Sequence, residues 1–174
     1  GWAMDPNAEA TKDAMDAMEE AFGVAPVNKG EGGSIPFIPE LQRIRLGSIE
    51  SVEVSDELIN LMATEPRFCS HLHLPLQAGS DHILKLMNRH YTLDEFKQLV
   101  KRLRSRIDGL VITTDIIAGF PGETDEDFEA TMKLIEDVGF DMSFSFIFSP
   151  RPGTPAADMP DDVDMEVKKA RLAR

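Results

Sequence analysis

Residues 110–149, LVITTDIIAGFPGETDEDFEATMKLIEDVGFDMSFSFIFS, decide the fold class. The first eight form a β-branched run of the kind that parallel strands buried on both faces require. Thr124 then opens a helix whose inward face is Phe128, Met132, Ile135 and Val138, and Gly139 closes it. Residues 141–149 make a further strand. Strand, helix and strand in immediate succession form a βαβ unit, whose parallel strands need the intervening helix as their crossover.

The same alternation extends upstream. Residues 43–49 (RIRLGSI) alternate as a strand, and Ser55 caps a helix running to about Ala63, with Asp56 and Glu57 in its first turn. Residues 70–76 (SHLHLPL) read as the next strand. Ser80 or Asp81 starts a short helix to about Asn88, and Thr92 with Glu95 makes a capping box for a longer one. Leu93, Phe96, Leu99, Val100, Leu103 and Ile107 form the apolar face of that helix, which Gly109 stops. A last charged helix runs from about Asp164 to Arg174. Four strands starting near 43, 70, 110 and 141 predict an α/β fold with a parallel sheet. Four units are half of an eight-stranded barrel and fewer than a doubly wound sheet usually has, so the expectation is a partial (βα) barrel.

The opening of the chain differs in character. Gly1–Met4 reads as a cloning scar, and 6–22 as an acidic amphipathic helix carrying Ala14, Met15, Met18, Ala21 and Phe22 on one face. Residues 28–34 (NKGEGGS) are Gly-rich, and Pro36 and Pro39 follow. The division expected is 1–34 as an extra N-terminal helix with its linker, and 35–174 as the barrel part. The helix reads either as a surface helix capping the domain or as a partner-binding one.

Composition narrows the function classes. With 42% hydrophobic and 28% charged residues the chain can bury a core, and it has no apolar run near membrane-spanning length. Net charge −13 argues against this surface alone gripping a phosphate backbone. Residues 1–40 carry eight acids and two bases and so account for −6 of it. One cysteine, Cys69, cannot close an internal disulfide or supply a multi-cysteine metal site. With no secretory signal, a cytoplasmic location is expected.

Ligands of such folds bind beyond the carboxyl ends of the strands. After the second strand comes 75–81 (PLQAGSD), with Gln77, Gly79 and Ser80 ahead of a helix N-terminus: a place for a carboxylate or a ribose hydroxyl, or simply a turn and an N-cap. After the third comes 119–124 (GFPGET), near Asp115. Its glycines let backbone approach a ligand, or else brace a turn that caps a helix. No Gly-Lys-Ser/Thr follows, so it is no Walker loop. After the fourth comes 149–155 (SPRPGTP), which presents Arg151 either to an anion or to solvent.

His71 and His73 share a strand face. The pair suits a barrel-mouth metal, an organic ligand or plain packing. Cys69 reads as a buried thiol with no base nearby. Residues 101–106 (KRLRSR) are basic but interleave with core positions, which gives a solvated face.

Four motifs together resemble the radical S-adenosylmethionine (SAM) methylthiotransferases that modify tRNA: RIRLGSIES (43–51), HLHLPLQAGSDHILKLMNRHYT (71–92), TDIIAGFPGETDEDF (114–128) and FSPRPGTPAADMPDDV (148–163). The resemblance runs from about Leu41 to Val163. It implies a (βα)6 partial barrel with a four-iron four-sulfur cluster that binds SAM and yields a 5′-deoxyadenosyl radical. A methylthio group is then installed on an adenosine beside the anticodon, with the cofactor carrying the hard chemistry. By motif, Gln77, Gly79 and Ser80 fall to the methionine or ribose part of SAM. Gly119, Phe120, Pro121, Gly122 and Glu123 fall to the adenosyl part. Asp115 and His73 face the barrel interior, and Ser149 and Arg151 lie on the rim with His73 toward substrate. RIRLGSIES resembles members acting on threonylcarbamoyladenosine, and SFSFIFSPRPGTPAADM those acting on isopentenyladenosine; ribosomal-protein methylthiotransferases are a third choice.

The departures are equally specific. The family's Cys-x-x-x-Cys-x-x-Cys run is absent, and residues 1–34 match nothing placed in the family. The expectation is a C-terminal barrel fragment, inactive alone, whose intact parent acts on tRNA, with self-association through an exposed barrel edge or the leader helix and no membrane partner. The rival readings are a metal-dependent barrel hydrolase using His71 and His73, and a non-catalytic half-barrel or helix-mediated interaction module.

Overall fold

A computed structural model of the chain describes residues 41–174; the expected leader helix and linker, 1–34, lie outside the described residues. Three strands, β1 (His71–His73), β2 (Val111–Ala118) and β3 (Met142–Ile147), stand in the order β1-β2-β3 in one sheet. The helices are α1 (Asp56–Thr64), α2 (Asp81–Leu86), α3 (Leu93–Arg106), α4 (Asp125–Val138) and α5 (Met165–Leu172). Short 3-10 turns lie at Ser51–Glu53 and Pro155–Asp158. The α/β class with a parallel sheet is as expected.

The chain divides into two compact units. The first takes residues up to His73 together with Lys101–Val111; the second takes Leu74–Val100 and Ile112–Arg174. In the first, Ser55 accepts the Leu58 amide at 3.2 Å and so starts α1, which buries Ile59 and Met62. Burying each such side chain contributes roughly 1.5–3 kcal/mol. The expected strand 43–49 is only two isolated parallel bridges, Ile44 to Phe68 and Ser48 to His73. The alternation is there, but Gly47 interrupts it, and glycine weakens a strand interior. The basic stretch of α3 is solvated as expected, with Arg106 reaching Asn60 Oδ1 at 2.9 Å and Asp56 at 3.5 Å. Cys69 is half-buried rather than buried, and its amide and carbonyl bond to Ile44 and His71.

In the second unit β2 and β3 run parallel, Thr113 opposite Met142 through Ala118 opposite Ile147, with α4 between them in sequence. Asp141 starts that ladder: its carboxylate accepts the Ile112 amide at 2.8 Å, and its own amide donates to the Ile112 carbonyl at 2.9 Å. The second expected strand, 70–76, is cut short because Pro75 has no amide to donate. Thr114 fills the gap. Its hydroxyl, fully buried, accepts from Leu76 N at 3.0 Å and donates to Leu74 O at 2.8 Å. Pairing resumes at Gln77, whose amide donates to Asp115 O and whose carbonyl accepts from Ile117 N, both at 2.8 Å.

The helices begin where expected. Thr92 and Glu95 form their capping box, and Thr124 forms one with Asp127. Helix α2 ends at Leu86, two residues earlier than expected, and Asn88 takes a left-handed conformation at φ 57°. The buried stripe of α4 is Phe128, Thr131, Leu134 and Val138, with Met132 and Ile135 only half-buried. The stripe is displaced because Gly79 packs against the backbone of Thr131, so a small residue sits at the point of closest approach. On β3, Met142, Phe144 and Phe146 are about half exposed.

Candidate functional site

The loops after β1 and β2 both belong to the second unit and both end at helix N-termini. In the first loop, Gln77 holds φ 70°, a left-handed conformation uncommon outside glycine, and its two bonds to β2 keep it there. Retained strain of this kind concentrates at ligand clamps and active sites. Gly79 is buried: its amide donates to Thr131 Oγ1 at 2.9 Å, and a Cβ there would overlap the Thr131 Cα and lie 3.1 Å from its Cβ and N. Ser80 is the N-cap of α2, accepting the Ile83 amide at 3.4 Å while its hydroxyl donates to Asp127 Oδ1.

The loop after β2 is built around Glu123. Its carboxylate turns back to accept the Gly119 amide at 2.7 Å, and Arg171 Nη1 donates to the same oxygen at 2.7 Å. Burial pushes the Glu123 carboxyl above its ordinary range, while the Gly119 amide and Arg171 pull the other way. Gly119 and Gly122 need their left-handed φ values of 74° and 83°. A Cβ on Gly119 would overlap the Lys168 side chain, and Gly122 donates its amide to Asp162 Oδ1 at 2.7 Å. Phe120 and Pro121 are buried, and the Phe120 ring meets Phe148 edge-on at 5.0 Å.

Helix α5 clamps this loop from behind. Lys168 is 1% exposed and places Nζ 2.6 and 2.7 Å from the two Asp161 oxygens, and 5.4 Å from the Phe148 ring centroid. Arg171 also reaches Asp125 Oδ1 at 2.7 Å and stacks over Phe128.

Of the remaining expected residues, Asp115 is half-buried on β2, where its carbonyl accepts the Gln77 amide at 2.8 Å. Ser149 and Arg151 are exposed beyond β3, and the Arg151 carbonyl closes its loop by accepting from Thr154 N and Oγ1 at 3.2 and 2.7 Å. The structure thus gathers Gln77, Gly79, Ser80 and Asp115 with the 119–123 loop in one unit. His73 belongs to the other unit, half-buried, and pairs with Ser48. There His71 Nδ1 accepts from Arg45 Nε at 3.3 Å, and no group of three His, Cys, Asp or Glu side chains suited to a metal occurs among the described residues.

Sequence reasoning passed over Asp127, Thr131, Lys168 and Arg171. For Asp127 there was a signal, the Thr-x-x-Asp box. Arg171 meets Glu123, 48 positions away, and Lys168 meets Asp161, 7 positions away, and a charged helix gave no hint that its bases point inward.

The radical SAM superfamily model matches residues 8–135. The chain belongs to the radical SAM superfamily. Its match begins at residue 8, inside the segment expected to be a separate leader. The chain is 58% identical over 140 residues to the tRNA-2-methylthio-N(6)-dimethylallyladenosine synthase of Aeromonas salmonicida, covering 80% of this chain and 29% of that protein. It is 53% identical over 137 residues to the enzyme of the same name from Methylobacillus flagellatus, 79% of this chain and 31% of that one. The chain therefore spans less than a third of the length of these relatives. Among solved structures, coproporphyrinogen III oxidase of Escherichia coli, a radical SAM enzyme, superposes with TM-score 0.61 over 75% of this chain and 30% of its own at 20% identity. A radical SAM methyltransferase from Kitasatospora setae gives 0.56 over 69% of this chain and 24% of its own at 21% identity. These two likenesses bear on the fold, and they agree with the barrel-type α/β architecture. The hydrolase and interaction-module readings are not favoured, since the family model and the similar proteins all belong to radical SAM enzymes.

The superfamily implies SAM and a four-iron four-sulfur cluster in an intact enzyme. A cluster of that kind is held by cysteine thiolates, and this chain has one, Cys69, so its residues do not fit the cluster.

Proposed function

We propose that this chain is a SAM-facing portion of a tRNA methylthiotransferase whose intact form acts on a dimethylallylated adenosine next to the anticodon. The carrying observation is the 58% identity over 140 residues to a synthase named for that product. Of the two substrate signals in the sequence, the relatives' names favour the isopentenyl type over the threonylcarbamoyl type. The chain's own contribution is binding and orientation. Gln77, Gly79, Ser80 and Asp115 border one part of SAM, and Gly119, Phe120, Pro121, Gly122 and Glu123 the other, with Ser149, Arg151 and His73 toward substrate. Support for the first group comes from the strained Gln77, held between Asp115 and Ile117. Ser80 and Glu123 act through the backbone they shape, because their side chains already serve Asp127 and Arg171.

Iron–sulfur chemistry and most tRNA contacts fall to other parts of the parent, so the chain by itself is inactive. Nothing among the described helices is long and apolar enough to cross a membrane, and a cytoplasmic setting with tRNA as partner follows from the proposed activity. The test is titration of the isotope-labelled chain with SAM, followed by backbone amide shifts. Shifts are expected at 77–80 and 119–123. Shifts confined to other segments, or none at millimolar ligand, would refute this placement of the site. Anaerobic reconstitution with iron and sulfide is expected to leave the protein colourless; a cysteine-type charge-transfer absorption would show that it holds a cluster after all.

A further inference from the structure

Asp127 lies in the first turn of α4, yet its carboxylate serves two helices. Oδ2 accepts from the amide and the hydroxyl of Thr124, both at 3.1 Å, which closes the cap of its own helix. The same oxygen lies 2.9 Å from His82 Nδ1 in the first turn of α2, and Oδ1 accepts from Ser80, the N-cap of α2. One turn along α4, Thr131 donates to the Asp127 carbonyl at 3.0 Å and accepts the Gly79 amide at 2.9 Å. The side chain of Asp127 is 12% exposed. Burial alone would raise its carboxyl; the bonds from Ser80, His82 and Thr124 outweigh that and hold it below the ordinary aspartate range. A local cap would need only Thr124.

We propose that Asp127 is a positioning residue that fastens the Gln77–Ser80 loop to the start of α4, so that the two SAM-facing loops hold one mutual geometry. This rests on the reading of those loops given above. Ser80 and Thr124 each end a loop, and a single carboxylate bonded to both removes the relative freedom that a ligand spanning the two would otherwise have to freeze. Charged groups facing Asp127 are His82 from α2 and Glu123 from the adjoining loop, the latter paired with Arg171 from α5.

The test is a pH titration of the labelled full chain, read at the amides of Ile83 in α2 and Thr124 in α4. Both are expected to move together, with one midpoint below the ordinary aspartate range, in the wild type and in His82→Gln. In Asp127→Asn both transitions should vanish. Glu123 titrates above that range and is thereby separable. Ser80→Ala should remove the transition at Ile83 alone and leave the Thr124 cap intact, which keeps the test open if Asp127→Asn fails to fold. SAM affinity should fall about tenfold in Ser80→Ala and in Asp127→Asn, the scale of one hydrogen bond to a charged group, and no further in the double variant. Independent midpoints at Ile83 and Thr124, or unchanged SAM affinity in both variants, would overturn the proposal. If the wild type shows no SAM shifts at all, the placement of the cofactor fails, and the shared midpoint still decides whether Asp127 joins the loops.

Discussion

Arg171 Nη1 donates to Glu123 Oε2 at 2.7 Å, with only 7% and 2% of the two side chains exposed, and to the Glu123 carbonyl at 3.2 Å. Such a pair ties the last helix to the loop after β2, and neither partner can turn to water if the other is removed. Arg171→Met is therefore expected to cost about 3–5 kcal/mol in urea unfolding at neutral pH. Loss of the guanidinium pushes an already raised carboxyl further up, so the folded variant binds a proton that the unfolded chain does not. Its deficit should shrink as pH is lowered toward the unfolded carboxyl range. A deficit independent of pH would place the cost in lost packing on Phe128 instead.

The neighbouring pair of Lys168 and Asp161 predicts an asymmetry. Lys168 is 1% exposed while the Asp161 side chain is 44% exposed. Asp161→Asn strands a buried ammonium and should cost about 3 kcal/mol in urea unfolding. Lys168→Met leaves a carboxylate that water can solvate and keeps the stem beside Gly119 and Phe148, so its effect should stay within about 1 kcal/mol. Equal losses in the two variants would contradict this account.

What could be read in the sequence follows how local each signal is. The 110–149 unit was legible because its run of β-branched residues, its Thr124 cap and its closing Gly139 all act within one or two turns of chain. The loops 75–81 and 119–124 were legible as candidate sites for the same reason. Residues 43–49 carried the right alternation, but Gly47 leaves two bridges where a strand was expected. Thr114 looked like one more β-branched strand residue. Its hydroxyl matters only because Pro75, across the sheet, lacks an amide. Arg171 and Lys168 were invisible for a related reason: a basic residue on a charged helix is buried only if an acid arrives from elsewhere in the chain, and Glu123 and Asp161 do so.

Gly79 admits no side chain. A Cβ would overlap Thr131 Cα and sit 3.1 Å from Thr131 N, and both are helix backbone that cannot move alone. Gly79→Ala is expected to lose about 1–3 kcal/mol and to disturb amide shifts in both 77–80 and α4. Thr131→Ser keeps the hydroxyl that accepts the Gly79 amide and should be tolerated. Thr131→Val leaves that buried amide without its acceptor and should cost about 1–3 kcal/mol. Thermal unfolding of the three variants checks the order.

Strand β3 exposes Met142 by 55%, Phe144 by 48% and Phe146 by 54% on alternate positions, hence on one face. An apolar strand face of this kind favours association of the chain with itself. Light scattering is expected to show a mass that rises with concentration, and a Met142→Lys and Phe146→Lys double variant should suppress the rise. A constant monomer mass in the unaltered chain would refute the expectation.

In the first unit, Arg67 Nε donates to Glu65 Oε1 at 2.8 Å and the Arg67 amide donates to the same atom at 3.0 Å. The guanidinium bond first, and the amide second, bring the Glu65 carboxyl from an ordinary 4.5 down to about 2. Because the folded value lies below the unfolded one, the stabilisation is complete above the unfolded value and is lost as pH falls from about 4.5 to about 2. Both side chains keep contact with water, so solvent screening keeps the contribution of this pair small. Carbon-detected titration of Glu65 should give a midpoint well below 4 in the unaltered chain. In Arg67→Met the midpoint should rise only part of the way, because the residue 67 amide still donates to the carboxylate. A full return to the ordinary glutamate value would mean that the amide bond depends on the side-chain pair, and an unchanged midpoint would mean that the guanidinium is not what lowers it.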